Sequence, residues 1–145
     1  MRTLTAAAAS LVLGIASASA SASDDALTKS GLAGNWAQDC AQPASEANWF
    51  DIYAVTGDGR LTETLVNKPG ETYRVSELTH FRVLANKRPA YTMEQDKEIL
   101  DIVVQLEGDR QRTWSSVAHG GKAYIRNGKL VANNSETLWF NRCAK

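Results

Sequence analysis

The strongest constraint on the fold of this 145-residue chain is the position of its two cysteines, Cys40 and Cys143, near opposite ends of the patterned sequence. A single pair with none left over, behind a predicted export signal, predicts one disulfide. Closing a loop of roughly 100 residues contributes about 2 to 5 kcal/mol of stability. The alternatives are two unpaired buried thiols or a metal site. Neither cysteine has a second Cys or His at ligand spacing beside it, so no metal site is predicted.

The first 22 residues have the pattern of a secretory signal peptide. Arg2 precedes an apolar, alanine-rich run from Leu4 to Ala18, and the small residues that follow predict cleavage after Ala20 or Ala22. The run is too short for a membrane span of about 20 apolar residues. We therefore expect a bacterial protein that is periplasmic or secreted, with no transmembrane segment in its mature form. Residues 23–145 are enough for one domain.

The charge of the mature chain is close to zero. The whole sequence has 16 Lys and Arg residues against 16 Asp and Glu residues, and the signal peptide carries Arg2. Proteins that bind nucleic acids or anionic membranes favour a marked basic excess. No nucleic-acid partner is therefore predicted. The sequence also contains no Gly-x-Ser-x-Gly nucleophile motif, and we predict no cofactor.

From Leu32 onward the apolar residues recur with period two, and turn residues follow about every 8 to 12 positions. This pattern predicts an all-β domain, a single antiparallel up-and-down β-barrel of about eight strands whose first and last strands are joined by the disulfide. An immunoglobulin-type sandwich is the main alternative, but it expects a core tryptophan between the cysteines. Trp36 precedes both cysteines, and Trp114 is predicted to point outward, so the barrel is preferred.

The first clear hairpin is predicted to join residues 49–55 to residues 60–67 through a two-residue turn within Gly57-Asp58-Gly59. That register puts one set of side chains on the core face: Phe50, Ile52, Ala54, Leu61, Glu63 and Leu65. A loop of odd length at Lys68-Pro69-Gly70 would then add Glu77 to the inner side, with Tyr73, Val75, Phe81 and Val83 as its apolar neighbours. Two inward carboxylates could serve as an acid and base pair. The alternative is that Glu63 and Glu77 are solvated or paired with arginine.

The second clear hairpin is predicted to join residues 98–107 to residues 110–118. Its inner face has an apolar wall of Leu100, Ile102 and Val104 beside a small polar wall of Thr113 and Ser115. An eight-stranded barrel can fill its centre with side chains or hold one small molecule. If a cavity remains, the predicted ligand-binding residues are Phe50, Ile52, Leu100, Ile102, Val104, Thr113 and Ser115.

Gly34-Asn35-Trp36 on the first predicted strand and Arg142 on the last resemble the lipocalin and calycin arrangement. The resemblance implies a closed barrel end in which Gly34 and Trp36 pack under Arg142, a structural cation–π contact. The chain is also similar to a group of small exported alphaproteobacterial proteins with an N-terminal Trp and Cys and a C-terminal Arg-Cys, which implies no activity. The chain departs from ordinary lipocalins in its shorter length and in lacking a recognisable C-terminal helix.

The combined prediction is an exported, monomeric, lipocalin-like barrel that binds a small apolar or amphipathic ligand without catalysis. One alternative is a protein-binding module, such as an inhibitor of an extracytoplasmic hydrolase or a partner of another envelope protein. A second alternative is an enzyme of isomerase or cyclase type that uses the inward carboxylates.

Overall fold

The computed structural model describes the backbone of residues 16–144 and the side chains from residue 22 onward. Most of the predicted signal peptide, residues 1–22, lies outside the described residues, and it stays a prediction. One helix precedes ten strands. The elements are α1 (Ala16–Lys29), β1 (Gly34–Ala37), β2 (Phe50–Val55), β3 (Leu61–Lys68), β4 (Glu71–Val83), β5 (Pro89–Gln95), β6 (Glu98–Glu107), β7 (Arg110–Ala118), β8 (Ala123–Arg126), β9 (Lys129–Leu130) and β10 (Phe140–Arg142).

Strands β1 to β7 pair antiparallel in sequence order, and β10 pairs with both β1 and β7. These eight strands form a closed up-and-down barrel, as predicted. Pairing at both sides of β10 removes the free edges that an open sheet would leave. The β8–β9 hairpin extends from the far end of β7, where Ser116 pairs with Ile125.

The predicted disulfide between Cys40 and Cys143 is present, with the two Cα atoms 5.3 Å apart. It lies just beyond β1 and β10, whose register aligns Trp36 with Arg142. The Cys143 backbone N–H also donates to the carbonyl of Asn35 at 2.8 Å. The barrel is therefore closed by hydrogen bonds and by a covalent bond at the same seam.

Helix α1 covers one end of the barrel, although the sequence predicts no helix there, and its residues 16–22 fall in the predicted signal peptide. Leu27 and the following Leu32 are fully buried in the core, together with Trp36. Alanine favours helix, and Gly31 ends it with a φ of 79°, a conformation that glycine adopts without strain. The helix is thus held by its one buried leucine rather than by a continuous apolar stripe.

The register of the first hairpin differs from the prediction by one residue. Thr56 N–H donates to the carbonyl of Arg60, which leaves a three-residue loop whose last residue, Gly59, has a φ of 83°. A three-residue loop shifts the pairing by one and exchanges the two faces of β2. Tyr53 therefore lies opposite Glu63, and the predicted inward placement of Phe50 and Ile52, like that of Ala54, is wrong. The inner side chains of β2 are Asp51, Tyr53 and Val55.

Along residues 73–78, the inner face of β4 is also the reverse of the prediction, whereas Phe81, within a β-bulge, packs against the core as predicted. A two-residue turn at Pro69-Gly70 pairs Lys68 with Glu71, whereas the prediction assumed a loop of odd length. Gly70 has a φ of 72°, as a tight turn after proline often requires. Arg74, Ser76 and Leu78 consequently face inward. The outward residues include Tyr73, Val75 and Glu77, and the predicted inward position of Glu77 is wrong.

The second hairpin follows the prediction up to a β-bulge. Val104 pairs with Thr113, but Val103 pairs with Ser115, so Trp114 is the extra residue on β7. The bulge turns Ser115 outward and Ser116 inward. The predicted inward wall is therefore correct for Leu100, Ile102, Val104 and Thr113 and wrong for Ser115.

Candidate functional site

Polar side chains from five strands meet inside the barrel, and we call them the inner polar cluster. Its members are Asp51 and Tyr53 from β2, Glu63 from β3, Arg74 and Ser76 from β4, Tyr91 from β5 and Gln111 from β7. All except Arg74 are buried. Such a concentration of buried polar groups is uncommon in the centre of a small domain, because each group loses its hydration on folding.

Glu63 is the centre of the cluster. Its Oε1 accepts a hydrogen bond from the Tyr53 hydroxyl at 3.1 Å and lies 3.5 Å from the Tyr91 hydroxyl. The two phenol oxygens are 3.1 Å apart, and their rings meet edge to face with centroids 6.2 Å apart. Both tyrosines can therefore direct a hydroxyl proton to one carboxylate oxygen.

Arg74 provides the positive charge of the cluster. Its Nη2 lies 3.5 Å from Oε2 of Glu63, which makes a nearly buried ion pair. The guanidinium is about a quarter exposed and Glu63 about a tenth, so the arginine reaches the cluster from the side nearer to solvent. Removing a partner from such a pair leaves an uncompensated buried charge.

Asp51 is the second inner carboxylate. It is buried, and its Oδ2 accepts a hydrogen bond from Nε2 of Gln111 at 2.9 Å across the barrel. Asp51 precedes Tyr53 by two residues on β2, so both side chains point to the same face of the strand. Tyr53 is the residue opposite Glu63. The predicted inward position of Glu63 is therefore correct, whereas the second inward carboxylate is Asp51, which the sequence analysis does not predict, and not Glu77.

The proton affinities of the two carboxylates are raised. Burial raises the pKa of Asp51 well above its usual value, and the negative charge of Glu63 raises it further. Burial also raises the pKa of Glu63, although Arg74 opposes that shift. Burial raises the pKa of Tyr53 and Tyr91 as well, which keeps both phenols neutral. The cluster therefore disfavours a charge on Asp51 more than one on Glu63, which lies beside Arg74.

Four buried polar atoms of the cluster have no hydrogen-bond partner within the described part of the chain. They are Oδ1 of Asp51, Oε2 of Glu63, Nε of Arg74 and Oγ of Ser76. Buried polar atoms are normally paired, because an unpaired one costs about 1 to 3 kcal/mol. The cluster thus retains two acceptors, one donor and one hydroxyl available for a further polar group.

Glu77 and the predicted ligand-binding residues occupy different surroundings. Glu77 is half exposed, and its Oε2 lies 3.5 Å from Nη1 of Arg60 on the outer surface. Phe50, Ile52 and Ser115 are on the outer face and only partly buried. Leu100, Ile102 and Val104 belong to the core, and Thr113 lies beside Val104. Their contact with a ligand stays a prediction.

Sequence reasoning missed Asp51, Tyr53, Arg74, Ser76, Tyr91 and Gln111. The signal that could have identified Asp51 and Tyr53 is the pair of glycines at Gly57 and Gly59, which suits a three-residue loop as well as a two-residue turn. With that loop, Tyr53 falls opposite Glu63. No comparable signal marks Gln111, because it reaches the cluster through contacts between distant strands.

The contact implied by the lipocalin resemblance is present at the closed end. The Arg142 guanidinium carbon lies 4.1 Å from the centre of the Trp36 ring. Arg142 also donates to the carbonyls of Ala33 at 3.0 Å and Gly31 at 2.6 Å. Gly34 has a φ of 117°, and a Cβ there would lie 3.8 Å from the guanidinium. This arrangement fixes the helix end to the closing strand, which is a structural role.

The described residues contain no group of three or more His, Cys, Asp or Glu side chains placed to hold a metal ion. Between residues 16 and 144, no helix has the length and apolar character needed to cross a membrane. Comparisons with protein-family models, with curated proteins and with solved structures found no match to this chain. The fold is a β-barrel compatible with a lipocalin-like ligand-binding barrel, and the function has to be inferred from the inner polar cluster.

Proposed function

We propose that the protein is an exported, lipocalin-like barrel that binds a small amphipathic molecule and does not convert it. The polar end of the ligand lies at the inner polar cluster, and its apolar part lies along the buried wall of β6. Export follows from the predicted signal peptide, and the disulfide suits an oxidising compartment such as the periplasm. Monomeric behaviour stays part of this proposal.

The observation that carries the proposal is the set of unpartnered polar atoms inside the barrel. Asp51 Oδ1 and Glu63 Oε2 can accept hydrogen bonds, and Arg74 Nε can donate one. A ligand with hydrogen-bond donors at its polar end would satisfy Asp51 Oδ1, which the protein alone leaves unpaired, and would add a hydrogen bond to Glu63 Oε2, which has an ion-pair contact with Arg74 at 3.5 Å but no hydrogen bond. Binding would then recover part of the free energy that burial of these groups costs. The adjoining leucine, isoleucine and valine side chains favour an apolar remainder.

The test is native mass spectrometry of the protein purified from the envelope of its own host, compared with the same sample after denaturation. We expect an additional mass of small-molecule size that disappears on denaturation. Glu63→Gln should weaken retention of that molecule, whereas the matched exposed variant Glu71→Gln should retain it. A bare monomer from the native host, or equal retention by both variants, would contradict the proposal. An additional mass of protein size would support the protein-binding alternative instead.

A second candidate function is proton transfer on the bound molecule, because Asp51 and Glu63 are two buried carboxylates of which only Glu63 pairs with Arg74. Glu63 would accept a proton from one position of the substrate while Asp51 delivers its proton to another, a net isomerisation. Incubating the molecule released from the native protein with wild type and with Asp51→Asn distinguishes the two functions. Conversion by wild type alone supports the enzyme, and recovery of unchanged molecule from both supports the carrier.

A further inference from the structure

The barrel wall is incompletely paired between β4 and β5. The β4–β5 pairs run from Thr79 opposite Thr92 to Val83 opposite Pro89, with a β-bulge between them. No pair lies closer to the N-terminal end of β4 than Thr79. On this side, the segments 75–78 of β4 and 93–95 of β5 have no partner in the ladder. Over these segments no strand pairing joins β4 to β5, so this part of the wall is held by fewer ladder hydrogen bonds than the part from Thr79 to Val83.

A cleft of about 520 Å³ occupies this position. Its volume is within the range of about 300 to 1,000 Å³ that is typical of small-molecule sites. Two of its lining residues, Ser76 and Met93, are buried members of the barrel interior. Ser76 lies directly opposite Glu63 in the β3–β4 ladder. The floor of the cleft therefore includes one member of the inner polar cluster, Ser76.

Ser76 gives this floor an unsatisfied polar group. The residue is 5% exposed, and its Oγ has no hydrogen-bond partner within the described residues. A hydroxyl can donate one hydrogen bond and accept two. Its position at the base of an open cleft makes it available to a molecule that enters between the strands.

The outer part of the cleft combines negative charge with apolar surface. Three carboxylates line it, from Glu77, Glu94 and Asp96. Glu77 forms an ion pair with Arg60 at 3.5 Å. Glu94 and Asp96 have no ion-pair partner among the described residues. Val75 and Ile99, both about half exposed, complete the wall. A cation with an apolar tail is complementary to both features.

We propose that the cleft between β4 and β5 is the entrance of the barrel and selects a small organic cation with an apolar chain, such as a primary amine. Glu94 and Asp96 attract the ammonium group, Val75 and Ile99 contact the chain, and Ser76 receives the ammonium group at the floor beside Glu63. This inference rests on the proposed function, because it names the chemical class of the molecule that the barrel would hold.

The test compares three probes of equal chain length, decylamine, decanol and decanoate, by isothermal titration below their micelle concentrations at pH 7. Decylamine is protonated at this pH, as an alkylamine of lysine-like pKa. We expect decylamine to bind about fivefold to tenfold more tightly than decanol, since individual exposed ion pairs are weak, and decanoate to bind least. Raising the salt concentration should reduce this preference.

The variant Glu94→Gln/Asp96→Asn should lose the preference for decylamine. The matched variant Glu46→Gln/Glu71→Gln removes the same charge from exposed positions outside the cleft and should keep it. Asparagine tolerates the φ of 51° at position 96, so the turn is preserved.

Several results would overturn the inference. Equal or tighter binding of decanoate, unchanged amine preference in the cleft variant, or binding of none of the probes would each do so. Failure of this inference can be distinguished from failure of the proposed function. If all three probes bind equally and Glu63→Gln weakens each of them, the barrel still binds a ligand and only the selection by the cleft is wrong.

Discussion

Asp51→Asn should stabilise the protein at neutral pH and should flatten its dependence on pH. The substitution keeps the shape of the side chain and an oxygen that can accept from Gln111 Nε2. It removes the charge that burial and Glu63 both disfavour. The groups that face Asp51 are Tyr53, Glu63, Arg74 and Gln111.

The sign follows from proton linkage. The pKa of Asp51 is raised well above that of an ordinary aspartate, about 3.9. Between these two pKa values the folded state holds a proton that the unfolded state has lost. The free energy of unfolding therefore falls as pH rises from about 4 through the folded-state pKa. The limiting slope for one proton is about 1.4 kcal/mol per pH unit. For a domain of this size, that corresponds to about 5 °C in Tm per pH unit.

The assay is thermal unfolding by circular dichroism at half-unit steps from pH 4.5 to pH 7.5, with the disulfide intact. Wild type should lose stability across part of this range, and Asp51→Asn should lose less and be the more stable protein at pH 7. Taking the difference between the two proteins removes every contribution that they share. Two results would refute the reasoning. One is a stability difference between the two proteins that does not change with pH, and the other is a stability of Asp51→Asn relative to wild type that is lower at pH 7 than at pH 5.

Three further predictions concern stability. Arg74→Met should reduce the free energy of unfolding, measured by urea titration, by about 3 kcal/mol at pH 7, because it leaves buried carboxylates without their cation. The loss should be smaller at pH 5, and equal losses at both pH values would contradict this. Replacing both Cys40 and Cys143 by serine should reduce the free energy of unfolding by about 2 to 5 kcal/mol, and a loss below 1 kcal/mol would contradict the role of the seam. Gly128→Ala should be more destabilising than Gly70→Ala in the same urea titration. Both glycines have a φ near 70°, but only at Gly128 would a Cβ meet a guanidinium, that of Arg112 at 2.8 Å. Arg112 is held over the Trp139 ring at 4.4 Å and by Gln105 Oε1 at 2.8 Å, so it cannot move away without losing these contacts, and equal losses would contradict this steric account.

The sequence was sufficient to predict the barrel because its determinants are local or lie at the chain ends. Period-two alternation predicts strands, turn residues separate them, and the positions of Cys40 and Cys143 predict which strands meet. Closure through β10 then follows, because a short last strand beside the first removes the free edges. The helix was not predicted, since a single buried leucine, Leu27, makes no periodic pattern.

The inner polar cluster could not be predicted because it depends on register. One residue added to the loop after Val55 exchanges the two faces of β2, so Asp51 replaces Ile52 inside. One bulge at Trp114 likewise exchanges Ser115 for Ser116. Each of these differences involves a single residue, but it determines which side chains point inward along the rest of the strand.

Strand β4 departs most clearly from the usual pattern of apolar residues inside and polar residues outside. Tyr73 and Val75 are 60% and 59% exposed, whereas Arg74 and Ser76 point into the barrel. Tyr73 is partly covered by Trp49, at 4.8 Å between ring centroids, but Val75 lies at the cleft. A strand selected for stability alone would exchange these two faces, since burying apolar area is favourable and burying a guanidinium is not. Natural sequences break such local rules mainly at functional sites. The inversion coincides with the unpaired part of the β4–β5 wall and with Ser76 opposite Glu63, so the reversed pattern of β4 is an independent argument that ligand enters the barrel there.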